Sequence, residues 1–152
     1  MKRVILITAA LMSGCGEPPA PDAEQVLGEW VVVDFESPTA TEDRSQRRKH
    51  ALVSEGTWSE QFQGDTFEDF EYALDETKSP KHLDLTYTNS DGMRLTVRAI
   101  YELSSANRMR VCIGSPPLVL RGGQVQRVES VRPTAFVPKD GPLIVYHRRA
   151  PE

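Results

Sequence analysis

Three histidines, one dense acidic stretch and two cysteines are the residues of this 152-residue chain whose chemistry could build a site. A metal centre needs such side chains converging, and a local one leaves its ligand spacing in the sequence. His50, His82 and His147 are scattered and form no such pair. Glu68, Asp69, Glu71, Asp75 and Glu76 are dense enough to suggest calcium, yet they lack the D-x-D-x-D-G order of a calcium loop. Strand alternation would point several of them apart. No serine sits in a G-x-S-x-G elbow, and no histidine lies beside Cys112 in the sequence. Arg121-Gly122-Gly123 has the composition of a turn rather than of a phosphate loop. The expectation is therefore no metal, no cofactor, no catalytic residue and no enzyme activity.

The other thiol stands in a different setting. Lys2 and Arg3 precede an apolar run over residues 4–12, which closes on Ser13, Gly14 and Cys15. That is the charged, apolar, small-residue order of a secretory signal. The run is too short to cross a hydrocarbon core as a helix, which takes roughly 20 residues. Met12-Ser13-Gly14-Cys15 resembles the bacterial lipobox, in which the cysteine is acylated on sulfur and becomes the new N-terminus. Met12 departs from the leucine commonest there. The resemblance implies a signal over 1–14, lipidation at Cys15 and an exported protein held on a membrane by acyl chains, each contributing about 0.8 kcal/mol per buried CH₂. Gly16, where aspartate would favour the inner membrane, implies the outer membrane in a Gram-negative host.

Cleavage before Cys15 takes residues 1–14 from the 152-residue chain and leaves 138, a usual size for one domain. It also removes Lys2 and Arg3, so the formal charge of −4 becomes −6. An acidic balance argues against nucleic acid as a partner, because phosphate backbones reward clustered Lys and Arg. Acylation would consume Cys15 and leave Cys112 unpaired inside the apolar run 109–113, as a small buried residue.

Residues 15–26 contain three prolines and little to bury, which predicts the lipidated cysteine followed by a flexible tether. A domain over 27–150 then opens with a strand at residues 30–35. Thr41-Glu42-Asp43, the basic residues Arg44, Arg47, Arg48 and Lys49, and the apolar patch 51–53 predict one short surface helix after it. From Thr57 the hydrophobic period becomes two. Trp58, Glu60 and Phe62 share one face, as do Phe70, Tyr72 and Leu74, then Leu83, Leu85 and Tyr87. Asp91-Gly92 is a hairpin signal. Met93, Leu95, Val97, Ala99, Tyr101 and Leu103 follow on one face, then Met109, Val111 and Ile113. A further strand is predicted around 125–131 and a last one over 143–148. About eight such strands, each with one apolar face, cannot bury those faces as one open sheet. The fold class is therefore mainly β, an antiparallel up-and-down barrel.

These elements also resemble a family of small secreted or lipid-anchored planctomycete proteins built on an uncharacterised domain with a lipocalin-like barrel. The resemblance is carried by Leu27-Gly28-Glu29-Trp30, the Gly64-Asp65-Thr66-Phe67 turn, Leu74-Asp75, the segment 78–85, Ile100-Tyr101-Glu102-Leu103, Arg110-Val111-Cys112-Ile113 and Arg132-Pro133-Thr134-Ala135-Phe136. It implies the barrel and the export, and it brings no activity or catalytic residue. The barrel pattern leads to a binding module for a small apolar or amphipathic ligand, with the inward set Trp58, Phe62, Tyr72, Leu85, Tyr87, Val97 and Tyr101 as candidates; plain core is the stronger reading of all seven. The alternative is an envelope protein that holds another protein, inhibitor-like, without a ligand cavity.

Overall fold

The computed structural model describes residues 19–38, 48–62 and 67–150, without the side chains of Arg48, Phe62 and Phe67. Cys15, the signal segment, the Gly64-Asp65-Thr66-Phe67 turn and residues 41–47 of the expected helix lie outside this description, apart from the backbone of Phe67. A short helix α1 (Asp22–Gln25) precedes β1 (Gly28–Glu36), β2 (Arg48–Ser54), β3 (Thr57–Phe62), β4 (Phe67–Asp75), β5 (Lys81–Thr88), β6 (Arg94–Ser105) and β7 (Arg108–Ile113). The hairpin β8 (Leu118–Arg121) and β9 (Gln124–Arg127) follows, and β10 (Leu143–Arg148) ends the series. Eight strands close an antiparallel barrel in the order β1-β10-β7-β6-β5-β4-β3-β2, and β8 pairs only with β9. The up-and-down barrel is as the hydrophobic period implies.

Alternation explains the walls. On β6, Leu95, Ala99 and Tyr101 point inward and are buried, and on β7 Met109 and Val111 do the same. Trp30, Trp58, Tyr101 and Tyr146 are the largest fully buried side chains. Trp58 meets Tyr72 and Tyr146 edge to face at 6.1 and 6.2 Å, which adds about 0.5–1.5 kcal/mol per pair to the area they bury.

Three expectations are corrected. Residues 48–54 form the barrel strand β2 rather than the end of a helix, because Ala51 and Val53 are buried while Leu52 between them is half exposed. Gly56, at φ +76°, makes the turn from β2 into β3. The strand expected over 125–131 is instead the second arm of an external hairpin, ending at Arg127. The tether does not run to residue 26, since α1 is folded onto the barrel. Asp22 is buried, Val26 is fully buried, and the Val26 carbonyl accepts a bond of 2.7 Å from the Trp30 indole.

Helix α1 plugs one end. Lys81 Nζ and the Tyr101 hydroxyl both donate to Asp22 Oδ2, at 2.6 and 2.7 Å, and Asp22 N donates to Glu76 at 3.0 Å. Beside this latch Arg148 lies over the Trp30 ring, 4.3 Å from its centroid. Its guanidinium donates to the carbonyls of Leu27, Gln25 and Ala106. Gly28 lies beneath it at φ +122°, and a Cβ there would stand 2.8 Å from Arg148 Nη1. The Leu27-Gly28-Glu29-Trp30 sequence thus combines a positive φ, a close approach and a stacking surface.

Outside the barrel, residues 128–138 cross β5, β6 and β7. Arg132 donates to the carbonyls of Leu83 and Ala99 and to Asp84, and Phe136 covers a second cluster of Ile100, Cys112 and Leu143. That cover explains why Ile100 is buried although it sits on the outward face. Replacing Trp30 with Ala is expected to cost about 3–5 kcal/mol in urea unfolding, as a buried aromatic should. Replacing Leu120, 72% exposed on the hairpin, is expected to stay within about 0.5 kcal/mol. Equal effects at the two positions would contradict the assigned core.

Candidate functional site

The end opposite α1 is not filled in the same way. A cavity of about 440 Å³ lies there, with Phe70, Leu85, Tyr87, Val97 and Ile113 as its walls and Glu60 on its surface. Its described rim is built from loop residues Ser37, Pro38, Gly114, Pro116, Pro117, Asp140, Gly141 and Pro142. Proline and glycine at the rim offer no long side chain to fold inward. Gly114 must stay small, because a Cβ there would fall 2.0 Å from the Val131 carbonyl oxygen.

Glu60 is the polar exception on an apolar wall. It is 2% exposed on β3, and its Oε1 accepts hydrogen bonds from the Trp58 indole and the Tyr146 hydroxyl, each 3.3 Å long. Its cross-strand neighbour on β2 is Ala51, whose small side chain leaves room for the carboxyl group. Phe70 and Tyr87 meet edge to face at 5.7 Å. Burial pushes the Tyr87 hydroxyl above its ordinary pKa, with Glu68 adding to the effect. A concave, mostly apolar volume with few fixed polar groups is the usual form of a small-molecule site, and its size falls within the range of about 300–1,000 Å³.

Of the seven candidate residues, Leu85, Tyr87 and Val97 line this cavity. Trp58 stands behind it and holds Glu60. Tyr72 packs on Trp58 and is also raised in pKa by burial. Tyr101 is at the plugged end, where it serves the Asp22 latch. The side chain of Phe62 lies outside the described residues. Glu60, Phe70 and Ile113 were not among the candidates. The signal for Glu60 was present, since alternation puts a charged residue between Trp58 and Phe62 on an inward face.

The remaining reactive groups are held apart. Cys112 is a free, buried thiol, and burial raises its pKa despite the contact of its sulfur with the Val137 carbonyl. His50 pairs with Glu29 on β1, while His82 and His147 belong to β5 and β10. The acidic stretch on β4 is spread over separate tasks. Glu71 pairs with Arg94, Asp69 accepts from Ser59, and Asp75 holds the turn at Thr77. Among the described residues no three His, Cys, Asp or Glu side chains gather to hold a metal ion. A second hollow, of about 620 Å³, lies outside the barrel beside the hairpin and is lined by Asp84, Arg98, Arg127 and Glu129. Arg98 and Glu129 pair across it at 2.6 Å.

The tyrosines make a pH prediction. Burial, and then the Asp22 hydrogen bond, raise Tyr101 far above its ordinary value of 10.0. A raised folded-state pKa means the native state keeps a proton that the unfolded chain gives up, so stability is intact below pH 10 and falls as pH rises beyond it. Tyrosinate absorbance of the native protein is expected to lag a free-tyrosine curve and then rise together with unfolding. Tyr101→Phe should weaken the pH dependence of stability in that window. A Tyr101→Phe protein with the parent's full alkaline loss would rule this out. No protein-family model matches the chain, and neither a curated protein nor a solved structure matches it.

Proposed function

We propose that the protein is a lipid-anchored, extracytoplasmic container that holds a small apolar or amphipathic ligand in the open end of its barrel. One observation carries this: one end of the barrel is plugged by α1, whereas the other opens through a mostly apolar cavity of about 440 Å³ lined by Phe70, Leu85, Tyr87, Val97 and Ile113. A barrel that served only as a scaffold could fill that volume with its own side chains. The resemblance to the planctomycete lipid-anchored proteins fits this reading and rests on the quoted motifs.

The anchor supports a defined orientation. Seven residues lead from Cys15 to Asp22, a reach of at most roughly 25 Å at ~3.3–3.6 Å per residue. Asp22 belongs to the plug, so the plugged end would face the membrane and the mouth would face away from it. A ligand would then be taken from the aqueous compartment rather than drawn directly from the anchoring leaflet.

Native mass spectrometry of protein purified from its own host should show an adduct released on denaturation. Val97→Trp, which fills the cavity, should abolish the adduct while the protein stays folded. Protein mass alone, in both forms, would sink the container. Cys15→Ser should abolish incorporation of labelled fatty acid and release the protein from membranes. A second reading, an envelope contact without a ligand, is favoured by Leu120 and Val125, which oppose each other on the external hairpin and are 72% and 66% exposed. A photo-cross-linker at position 120 that captures one envelope protein, together with an empty Val97→Trp-insensitive barrel, would favour that reading.

A further inference from the structure

The hairpin β8–β9 stands outside the closed barrel and pairs only with itself. We infer that β9 is a docking edge that receives an extended, acidic segment of a partner protein as a third strand. The inference deepens the external-contact reading of the hairpin and does not depend on a ligand in the cavity.

The backbone supplies the first half of the argument. Gly122 and Gly123, at φ +58° and +77°, make a two-residue turn, and the strands run in unbroken register from Leu118↔Arg127 to Arg121↔Gln124. In such a hairpin the residues flanking the turn exchange both ladder bonds, and every second pair directs its N–H and C=O groups outward. Val125 and Arg127 therefore present theirs along the free side of β9. The bond from Val128 N–H to the Pro117 carbonyl continues the same alternation. All four residues of β9 are exposed, and neither proline nor a bulge blunts the edge. A two-stranded ribbon on its own is marginal in water, and a third strand both completes its ladder and covers the exposed pair Leu120 and Val125.

Charge supplies the second half. Residues 116–128 contain Arg121 and Arg127 and no Asp or Glu. Neither guanidinium has a partner among the described residues, in a chain whose formal charge is −6 without residues 1–14. An acidic residue opposite Arg127 on the added strand provides that partner, and opposite charges across a ladder stabilise the pairing. The acidic body repels a negative segment elsewhere, so the two arginines decide where it lands. A second copy of this chain brings the same arginines to the edge and no acid to meet them. An anionic lipid surface meets the charge but has no row of donors and acceptors for the ladder. The hairpin also follows directly on the rim prolines Pro116 and Pro117, at the end of the barrel away from the plug.

The test uses the full chain carrying Cys15→Ser and fluorescence anisotropy of labelled short peptides. One alternates glutamate and valine, a second has lysine in place of glutamate, and a third is the acidic peptide N-methylated throughout, which keeps its charge and removes its ladder donors. The acidic peptide is expected to bind about tenfold tighter than either of the others. Arg121→Glu combined with Arg127→Glu, both at exposed positions, should invert the preference toward the lysine peptide at an unchanged urea midpoint. Equal binding of the N-methylated peptide overturns strand addition, and equal binding of the lysine peptide overturns the acidic partner. Absence of peptide binding overturns the proposal, and binding to phosphatidylglycerol vesicles in its place assigns the arginines to a lipid surface. The ranking in the Cys15→Ser chain needs no hairpin variant, so it stands if the double variant misfolds. None of these outcomes touches the adduct measured by native mass spectrometry, so the container is judged separately.

Discussion

Eight strands become a barrel only when the last pairs with the first, and at that seam Arg148 gathers both ends of the domain. It belongs to β10, stacks on Trp30 of β1, and donates to carbonyls of the α1 connection and of the β6–β7 turn. A stacked guanidinium contributes about 0.5–2 kcal/mol, and each charge-assisted bond to a carbonyl about 1.5–3 kcal/mol before desolvation is charged against it. The energy matters less than the geometry. One side chain fixes the register of β1 against β10, seats α1 and ties in the neighbouring turn. Gly28 makes this possible by leaving the space a Cβ would occupy. Closure in turn leaves the barrel strands no open edge for another chain to pair with.

The seam also makes the two ends of the barrel unequal. The residues around it are the large ones: Trp30 and Tyr101 are packed beneath α1, with Val26 and the Asp22 latch above them. Toward the other end the inward positions are taken by Leu85, Val97 and Ile113, and the rim turns on proline and glycine. Phe70 and Tyr87 stand at that end too, so the difference between the ends lies in the α1 plug and in a rim without long side chains. The result is a floor of aromatic rings with an open volume above it. The cavity is separated from the α1 end by the packed core.

Much of the fold was legible because period two is a direct imprint of a wall with one dry face. Leu83, Leu85, Leu95, Ala99, Tyr101, Met109 and Val111 are all buried on the inward face that alternation assigns them. The β2 strand was hidden by its neighbours. A basic cluster runs into it, so only Ala51, Val53 and the Gly56 turn carried the strand signal. Helix α1 was hidden by proline, whose abundance before Asp22 looks like a tether until Asp22 finds Lys81 and Tyr101, 59 and 79 residues away in the chain. Such partners have no local trace. The cavity was half legible: alternation could name the residues that face inward, but whether facing side chains meet or leave a gap depends on barrel closure and on loops at the rim.

Glu60 connects these points. An aliphatic residue at this inward position would avoid the cost of taking a carboxyl group out of water, which even good partners repay only in part. Trp58 and Tyr146 would lose one hydrogen-bond acceptor, a smaller effect of about 0.5–1.5 kcal/mol each. Stability alone therefore favours leucine over glutamate at position 60. Glu68 stands opposite it on β4 and shares its face, so the two carboxyl groups sit where the core opens into a cavity. A local rule broken where the packing also stops is the pattern expected of a site, because polarity and space are both costly to a core and useful to a ligand.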